Sequence, residues 1–347
     1  MPWAGVAALG GSGGGVSTRA TVSCVGVMPA SDPAVIAAAN ATFAATLVDQ
    51  WVRDGLRHAV VAPGSRSTPL ALALADRPEL SVHVIHDERV AAFAALGIGM
   101  ATGAPAVLLC TSGTAAANFH PAIVEAGLSE VPLLVCTADR PPELRGVGAP
   151  QTIDQVDLYR RSVRWSYDAV PPDSADRADW RPLAQRALAS AARGPVHFNL
   201  PFREPLLGVA ETLPPPIGEP VPVPRTIAST GALDPAFQVA RGIIVAGGAS
   251  GVNPVAIEAF AERLGWPILA DPPSHLRRSR FAVTAFDSLL RHPEFAAGAT
   301  PELVVRFGRP PASKVLTQWL LATGAPVDQV GGPGMINPDG NVTAWCT

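Results

Sequence analysis

The sequence predicts an α/β protein of two parallel-sheet, three-layer domains, each sheet covered by helices on both faces. Three observations predict it. Short apolar runs without polar alternation recur along the chain, helical pattern separates each run from the next, and a Pro-rich stretch without periodicity follows residue 205. With 347 residues, 48% of them hydrophobic and 16% charged, the chain can bury two ordinary cores.

Residues 1–30 are Gly-, Ala- and Ser-rich, carry only Arg19 as a charge, and lack an apolar core behind a basic start. They are expected to be a disordered extension or a misassigned start rather than a signal peptide. Ser31-Asp32-Pro33 reads as a helix start, with Asp32 as N-cap and Pro33 in the first helical position. That helix should run to about Asp54, where Gly55 stops it. HAVVA (58–62) is a buried strand entering the turn-rich PGSRSTP (63–69), which opens a Leu/Ala helix. VHVIH (82–86) is read as a second buried strand, followed by a turn over Asp87 and an apolar helix with Glu88 and Arg89 in its first turn. AVLLC (106–110) enters TSGTAAANFHPAIVEAG, and PLLVCTA (132–138) enters the long loop DRPPELRGVGAPQTIDQ. A helix over 174–192 and the strand PVHFNLP close a first domain spanning 31–205. A linker over 206–228 leads to a second domain, 229–347, with strands near 243–246, 267–270, 302–307 and 326–330. Its opening AGGASG has neither GxGxxG spacing nor a placed acidic residue for a ribose, so it does not read as a dinucleotide turn. The sequence after Ala344 is non-periodic.

Composition excludes several functions. Twenty-six basic against 29 acidic residues leave a net charge of −3, with no electrostatic footprint for nucleic acid or an anionic membrane. No run of eighteen apolar residues predicts a membrane span. Cys24, Cys110, Cys136 and Cys346 have no CxxC or metal-ligand spacing, and the histidines are not at metal spacing either. No metal site is expected, and a reducing, cytoplasmic setting is. Ser65 and Ser112 lack the GxSxG elbow of serine hydrolases.

Ligands of open parallel sheets sit beyond the carboxyl ends of the strands, and here that edge carries the polar, glycine-rich loops. They present Ser65 and Arg66; Asp87, Glu88 and Arg89; Thr111, Ser112, Gly113, Thr114 and Asn118; and Asp139, Arg140, Arg145, Gln151 and Asp154. Any one loop is explained by turn and cap chemistry. Four together, with Arg66, Arg140 and Arg145 among them, point to a carboxylate- or phosphate-bearing ligand. Ser112-Gly113-Thr114 at a helix start is expected to offer free N–H groups to an anion. Glu88 has two readings from the residues alone: a carboxylate suited to a helix start, or a group placed against a ligand.

PGSRSTPL, HDERVAAFAALGIG, TSGTAAANFHPAIVEA and TADRPPELRGVGAPQTIDQ, read in that order, resemble the N-terminal half of the MenD family. These are the thiamine-diphosphate-dependent SEPHCHC synthases of menaquinone biosynthesis. The resemblance rests on motifs over residues 33–205 and on domain layout from 230 to 345. It implies a pyrimidine-binding domain followed by a central domain, in a family whose members carry a third, diphosphate-binding domain. It implies thiamine diphosphate with Mg2+ or Mn2+ as cofactors, 2-oxoglutarate and isochorismate as substrates, and a homodimer or tetramer. The family's activating glutamate matches Glu88, with an expected carboxyl of raised pKa among the apolar Val90, Ala91, Phe93 and Ala94. Its substrate residues fall on Ser65, Arg66, Arg140 and Gln151. Arg145 is added here as a further substrate candidate, and Thr114 and Asn118 either line the cofactor edge or cap their helix.

The family's GDG…N motif, which holds the metal and diphosphate, has no counterpart here, because Asp339-Gly340-Asn341 follows Pro338 in a different context. The third domain and its metal ligands are therefore expected to lie outside this sequence. Two rival readings stand: an acetolactate-synthase-class enzyme with a flavin-accommodating central domain, and a non-catalytic dicarboxylate-binding or assembly subunit. Arg306 and Arg309, read as a loop after the third strand of the second domain, are candidates for a regulatory site. Calorimetry of this chain with thiamine diphosphate at millimolar Mg2+ should show no micromolar binding, and micromolar or tighter affinity would overturn that expectation.

Overall fold

The computed structural model describes residues 32–172, 177–218, 237, 239–332 and 334–346. The expected extension over 1–30, the start of the helix expected at 174 and the linker from 219 to 228 lie outside the described residues.

The chain builds two six-stranded sheets, every paired strand parallel. The first takes β1 (His58–Val61), β2 (Ser81–Val84), β3 (Ala106–Cys110), β4 (Leu133–Asp139), β5 (Ser166–Asp168) and β6 (Pro195–Pro201) in the order β2-β1-β3-β4-β6-β5. Residues of β3, β4 and β6 are buried throughout; β3 is an unbroken apolar run, while β4 and β6 also bury Thr137, Asp139, His197 and Asn199. Alternate residues feed two cores. Val107, Leu109, Leu134 and Cys136 join one with helices α1 (Pro33–Arg53), α2 (Thr68–Ala75) and α6 (Trp180–Ser190). Leu108, Cys110, Leu133 and Val135 join the other with α3 (Glu88–Thr102), α4 (Thr114–Asn118) and α5 (His120–Ser129).

Helix α1 is long and apolar enough to cross a membrane, yet 72% of that window is buried inside the fold. Phe43, Leu47 and Trp51 are almost wholly enclosed, each contributing about 1.5–3 kcal/mol of apolar burial. Trp51 donates its Nε1–H to the Ala184 carbonyl at 2.9 Å, fixing α1 against α6. Residues 203–214, the last of them expected to be open linker, are instead laid along these helices. Asn40 Nδ2 donates to the carbonyls of Arg203 and Pro205, Glu211 N–H to Thr42 Oγ1, and Arg181 Nε to the Pro214 carbonyl. A proline-rich segment without periodicity can pack this way because side chains of the helices satisfy its backbone.

The second sheet has the order β12-β11-β10-β7-β8-β9, from β7 (Gly242–Ala246), β8 (Ile268–Ala270), β9 (Ala282–Val283), β10 (Leu303–Phe307), β11 (Val327–Val330) and β12 (Val342–Cys346). Helix α7 (Pro254–Leu264) covers one face through Ile257 and Ala261. Helices α8 (Phe286–Leu289), α9 (Pro293–Gly298) and α10 (Lys314–Thr323) lie on the other side, with Phe286, Ala296 and Leu316 in its core.

Four expectations are corrected. The strand after residue 81 is an exposed edge strand rather than a buried one, with Val84 60% exposed, because only β1 pairs with it. Strand β5 was not foreseen: Ser-Tyr-Asp has no apolar run and takes its pairing from β6 alone. Residues 342–346 form an edge strand despite their non-periodic sequence. Arg306 is not on a loop: it lies inside β10, 4% exposed, with Nη2 donating to Gln329 Oε1 at 2.8 Å.

Candidate functional site

The first sheet reverses its winding at β1, which has β2 on one side and β3 on the other. Such a switch point parts the loops leaving the carboxyl ends of two neighbouring strands and opens a crevice between them. The four polar loops leave from β2, β1, β3 and β4, which are consecutive in the sheet. All four therefore meet at one edge.

The β1 and β3 loops close on each other at their base. A Cβ on Gly64 would overlap the Thr111 side chain, and the Arg66 backbone N–H donates to Thr111 Oγ1 at 3.2 Å. This places Arg66 inside the fold, 4% exposed, with Nη1 donating to the Phe202 carbonyl at 2.8 Å and Nη2 paired with Glu204 at 2.7 Å. Its Nε is buried without a partner. Burial, followed by the charge of Arg140, pushes the Arg66 guanidinium below its usual pKa. Ser65 is exposed on the same turn.

Asp87 and Glu88 divide the work at the mouth of α3. Asp87 is the N-cap: its carboxylate accepts the N–H groups of Arg89 and Val90 at 2.9 and 3.3 Å and pairs with the Arg89 side chain. Among the described residues, Glu88 has no hydrogen-bond or ion-pair partner for its carboxylate. Capping is thus assigned to its neighbour. The expected apolar surround is corrected in part: Ala91 is buried behind Glu88, but Val90 and Phe93 point outward and are 55% and 50% exposed. Positions 91, 92 and 95 take the inward face of α3, which leaves 90 and 93 on the outer one. The Glu88 charge acts on the Cys110 thiol at the end of β3, which burial chiefly and then Glu88 push well up.

Of the amides expected to be free on the β3 loop, that of Gly113 is committed inside the chain. Gly113 N–H donates to Gln155 Oε1 at 2.8 Å, and α4 beyond it is only five residues long. Ser112 Oγ instead accepts Arg140 Nη1 at 2.7 Å and donates to the Gln151 carbonyl at 3.1 Å, while Gln151 Nε2 returns to the Ser112 carbonyl at 3.1 Å. Arg140 Nη2 reaches the Pro150 carbonyl at 3.1 Å. Ser112, Arg140 and Gln151 therefore form one unit at the edge. Thr114 and Asn118 are exposed, and Asn118 Nδ2 donates to the Thr114 carbonyl at 2.9 Å, closing its own short helix.

Arg145 departs from its expected role. Its guanidinium makes a two-pronged pair with Asp168 at 2.7 and 2.9 Å, contacts Asp139 at 2.8 Å and donates from Nε to the Arg140 carbonyl at 3.1 Å. Every nitrogen is committed within the chain, so Arg145 is structural here. Burial pushes the fully enclosed Asp139 up from the usual carboxylate range, and Arg145 with Asn199 opposes that rise.

Sequence reading missed the polar core beneath the site. Asn199 Nδ2 donates to Asp139 and Asp168 at 2.8 and 2.7 Å, and its Oδ1 accepts Thr137 Oγ1 and Gln155 Nε2 at 2.7 and 3.0 Å. Thr137 gives its one hydroxyl proton to Asn199, so His197 Nε2–H is the donor in the 2.8 Å contact between His197 and Thr137. His197 Nδ1 is left without a partner. The only signal was polar letters inside the apolar runs LLVCTAD and PVHFNLP. No group of three or more His, Cys, Asp or Glu among the described residues could hold a metal ion.

Residues 41–158 match the family described as thiamine pyrophosphate enzyme, N-terminal TPP binding domain, and residues 225–327 match the middle domain of thiamine pyrophosphate enzymes. Strands β1–β4 of the first sheet thus fall in the N-terminal-domain match and β7–β10 of the second in the middle-domain match. Among curated relatives, 2-succinyl-5-enolpyruvyl-6-hydroxy-3-cyclohexene-1-carboxylate synthase of Thermobifida fusca is 46% identical over 299 residues, covering 81% of this chain and 53% of that protein. The synthases of Chloroflexus aurantiacus and Listeria innocua are 44% and 41% identical, each over 80% of this chain and 50% and 51% of their own lengths. The chain belongs to this synthase family, MenD, and spans about half the length of the curated relatives it matches.

Burial pushes the His197 imidazole down to about 4, from an ordinary 6.5. Between those values the unfolded chain binds the proton that the folded chain refuses, so stability falls as pH drops through the window, by about 3 kcal/mol in full. Asp139, whose pKa is raised, contributes a slope of opposite sign. The His197 part is therefore read as a difference: His197→Gln should flatten the denaturation free energy between pH 6.5 and 4 relative to the parent. Equal slopes would remove His197 from the acid response.

Proposed function

We propose that this chain forms the pyrimidine-side half of a SEPHCHC synthase, which decarboxylates 2-oxoglutarate and adds the resulting four-carbon unit to isochorismate with thiamine diphosphate and Mg2+. In this reading residues 31–205 are the pyrimidine-binding domain, 206–228 the linker and 229–347 the central domain. One observation carries it: at the switch point, the cap duty at the mouth of α3 falls to Asp87 and leaves the Glu88 carboxylate uncommitted. A carboxyl beside an apolar strand end suits the aminopyrimidine of the cofactor, since it can share a proton with a ring nitrogen.

Thiamine diphosphate, when bound, supplies the nucleophilic carbon and the electron sink. Glu88 holds or moves the proton at the aminopyrimidine ring nitrogen. Arg66 and Arg140, close enough for one charge to depress the other's pKa, favour an anion between them and bind substrate carboxylate. Ser65 lies on the Arg66 turn, and Gln151 is clasped to Ser112 beside Arg140. Thr114 and Asn118 frame the cofactor edge from the exposed side of α4. Arg145 is left out of the ligand set because its donors are spent. The reading carries a cytoplasmic location, as both substrates are small charged molecules.

The central sheet argues against a flavin-type rival. Its own switch point, between β7 and β10, is filled by backbone: Gly247 N–H donates to the Phe307 carbonyl at 3.0 Å and Arg309 N–H to the Gly248 carbonyl at 2.9 Å. A Cβ on Gly247 or Gly308 would overlap the opposite loop.

The assay is made on the longest product of the gene, with 2-oxoglutarate, isochorismate, thiamine diphosphate and Mg2+, reading product by mass spectrometry. Product formation is expected; turnover of pyruvate in preference to 2-oxoglutarate sinks this reading in favour of the acetolactate-synthase class. Glu88→Gln should lower kcat by at least about 100-fold while changing the KM for 2-oxoglutarate much less. We further propose a homodimer, seated on the outer faces of the adjacent helices α3 and α5, where Val90, Phe93 and Leu128 are each at least 50% exposed. Phe93→Glu should convert a sedimenting dimer to monomer; an unchanged sedimentation coefficient moves the interface elsewhere.

A further inference from the structure

Gln155 lies four residues past Gln151, 1% exposed, and joins three separate pieces of chain. Its Oε1 accepts the Gly113 N–H at 2.8 Å, and its Nε2 donates to the Ala138 carbonyl at 3.1 Å and to Asn199 Oδ1 at 3.0 Å. The amide orientation is forced from both ends. Gly113 brings a donor, so it requires the Gln155 oxygen. Asn199 spends its own Nδ2 on Asp139 and Asp168, so only its oxygen remains for Gln155.

Each bond leads toward Arg140. Gly113 follows Ser112, whose hydroxyl holds Arg140 Nη1 at 2.7 Å. Asn199 holds Asp139, whose Oδ1 accepts the Arg140 N–H at 2.7 Å, and Asp168, which with Asp139 holds Arg145 beneath the Arg140 carbonyl. The Arg140 backbone and guanidinium are thus fixed by two routes that meet at Gln155.

We propose that Gln155 is the positioning residue of the carboxylate-binding edge, setting the place of the Gly113 amide and, through Ser112 and Asn199, the aim of the Arg140 guanidinium. Its substrate consequence rests on the reading of Arg140 as a carboxylate-binding residue given above. A glutamate is its isostere and can still accept the Gly113 N–H, but when ionised it cannot donate to Ala138 or Asn199. When protonated it regains one O–H. A leucine neither accepts nor donates at any pH.

Two measurements decide the matter. The first uses this chain alone: in Gln155→Leu, amide hydrogen exchange over residues 111–114 should quicken by about tenfold relative to the parent, with β1 unchanged. Unchanged exchange there overturns the inference, whatever the enzyme does. The second uses the active gene product: Gln155→Glu should raise the KM for the carboxylate substrate at least about tenfold and lower kcat less. Acidification should bring that KM back in Gln155→Glu but not in Gln155→Leu. Asp139, Asp168, Arg145 and, through Thr137, His197 face this group and are present in both variants, so the leucine variant subtracts their titration. Equal losses in kcat and KM without acid rescue would reduce Gln155 to a folding role and overturn the proposal. If the parent turns over no substrate, the functional reading fails by itself, and the exchange result still decides the positioning.

Discussion

The close approach of the β1 and β3 loops at Gly64 and Thr111 is the constraint on which the first domain's edge depends. At a switch point, two neighbouring parallel strands send their loops over opposite faces of the sheet. Here the glycine lets one backbone rest against the other's threonine before they part, so the crevice begins at a defined depth. Arg66 is buried because its turn starts there, and Ser112 stands where Arg140 can reach it for the same reason. The polar layer below, from Thr137 through Asn199 to Asp168, makes the floor rigid. Each of its buried polar atoms but His197 Nδ1 has a partner, and a network so nearly satisfied fixes one arrangement rather than several.

The second sheet repeats the winding and reaches the opposite result. Both sheets have a strand flanked on either side by strands that come later in the chain, and both therefore have a switch point. In the first, the loops touch through Gly64 and the Thr111 side chain. In the second, glycines at 247 and 308 let backbone pair with backbone and occupy the space. Topology supplies the crevice, while residue size at its lip determines whether a ligand can use it.

The strands AVLLC and PVHFNLP were legible to the residue, because burial on both faces leaves a run that is wholly apolar in the first and broken only by His197 and Asn199 in the second. Edge strands were less so: the one at 81–84 reads as a strand but as a buried one, while 166–168 and 342–346, each taking register from a single neighbour, do not read as strands. The candidate site was legible as a set of loops, since turn chemistry and arginine mark a sheet edge. The division of labour inside it was hidden. Asp87 and Glu88 are equivalent as letters at a helix start, and only the capping geometry separates them. Arg145 looked like Arg140 until its partners Asp139 and Asp168 came into view, and Gln155 owes its importance to residues 42 and 44 positions away.

Helix α1 also bears on how the chain is made. It is apolar enough to be mistaken for a membrane segment, and although α2 packs on it from nearby, two of the bonds that fix it are made far downstream: its tryptophan bonds 133 residues ahead, and its Asn40 amide 163 residues ahead. At synthesis rates of about 5–20 residues per second, that face waits on the order of ten seconds or more for its cover. During that interval the growing chain carries a hydrophobic helix whose α6-facing side is uncovered. Nascent-chain binding factors and the membrane-targeting machinery would compete for the same twenty-one residues. The order in which the domain is translated thus sets a burden on its delivery that the finished fold, with the helix enclosed, no longer displays.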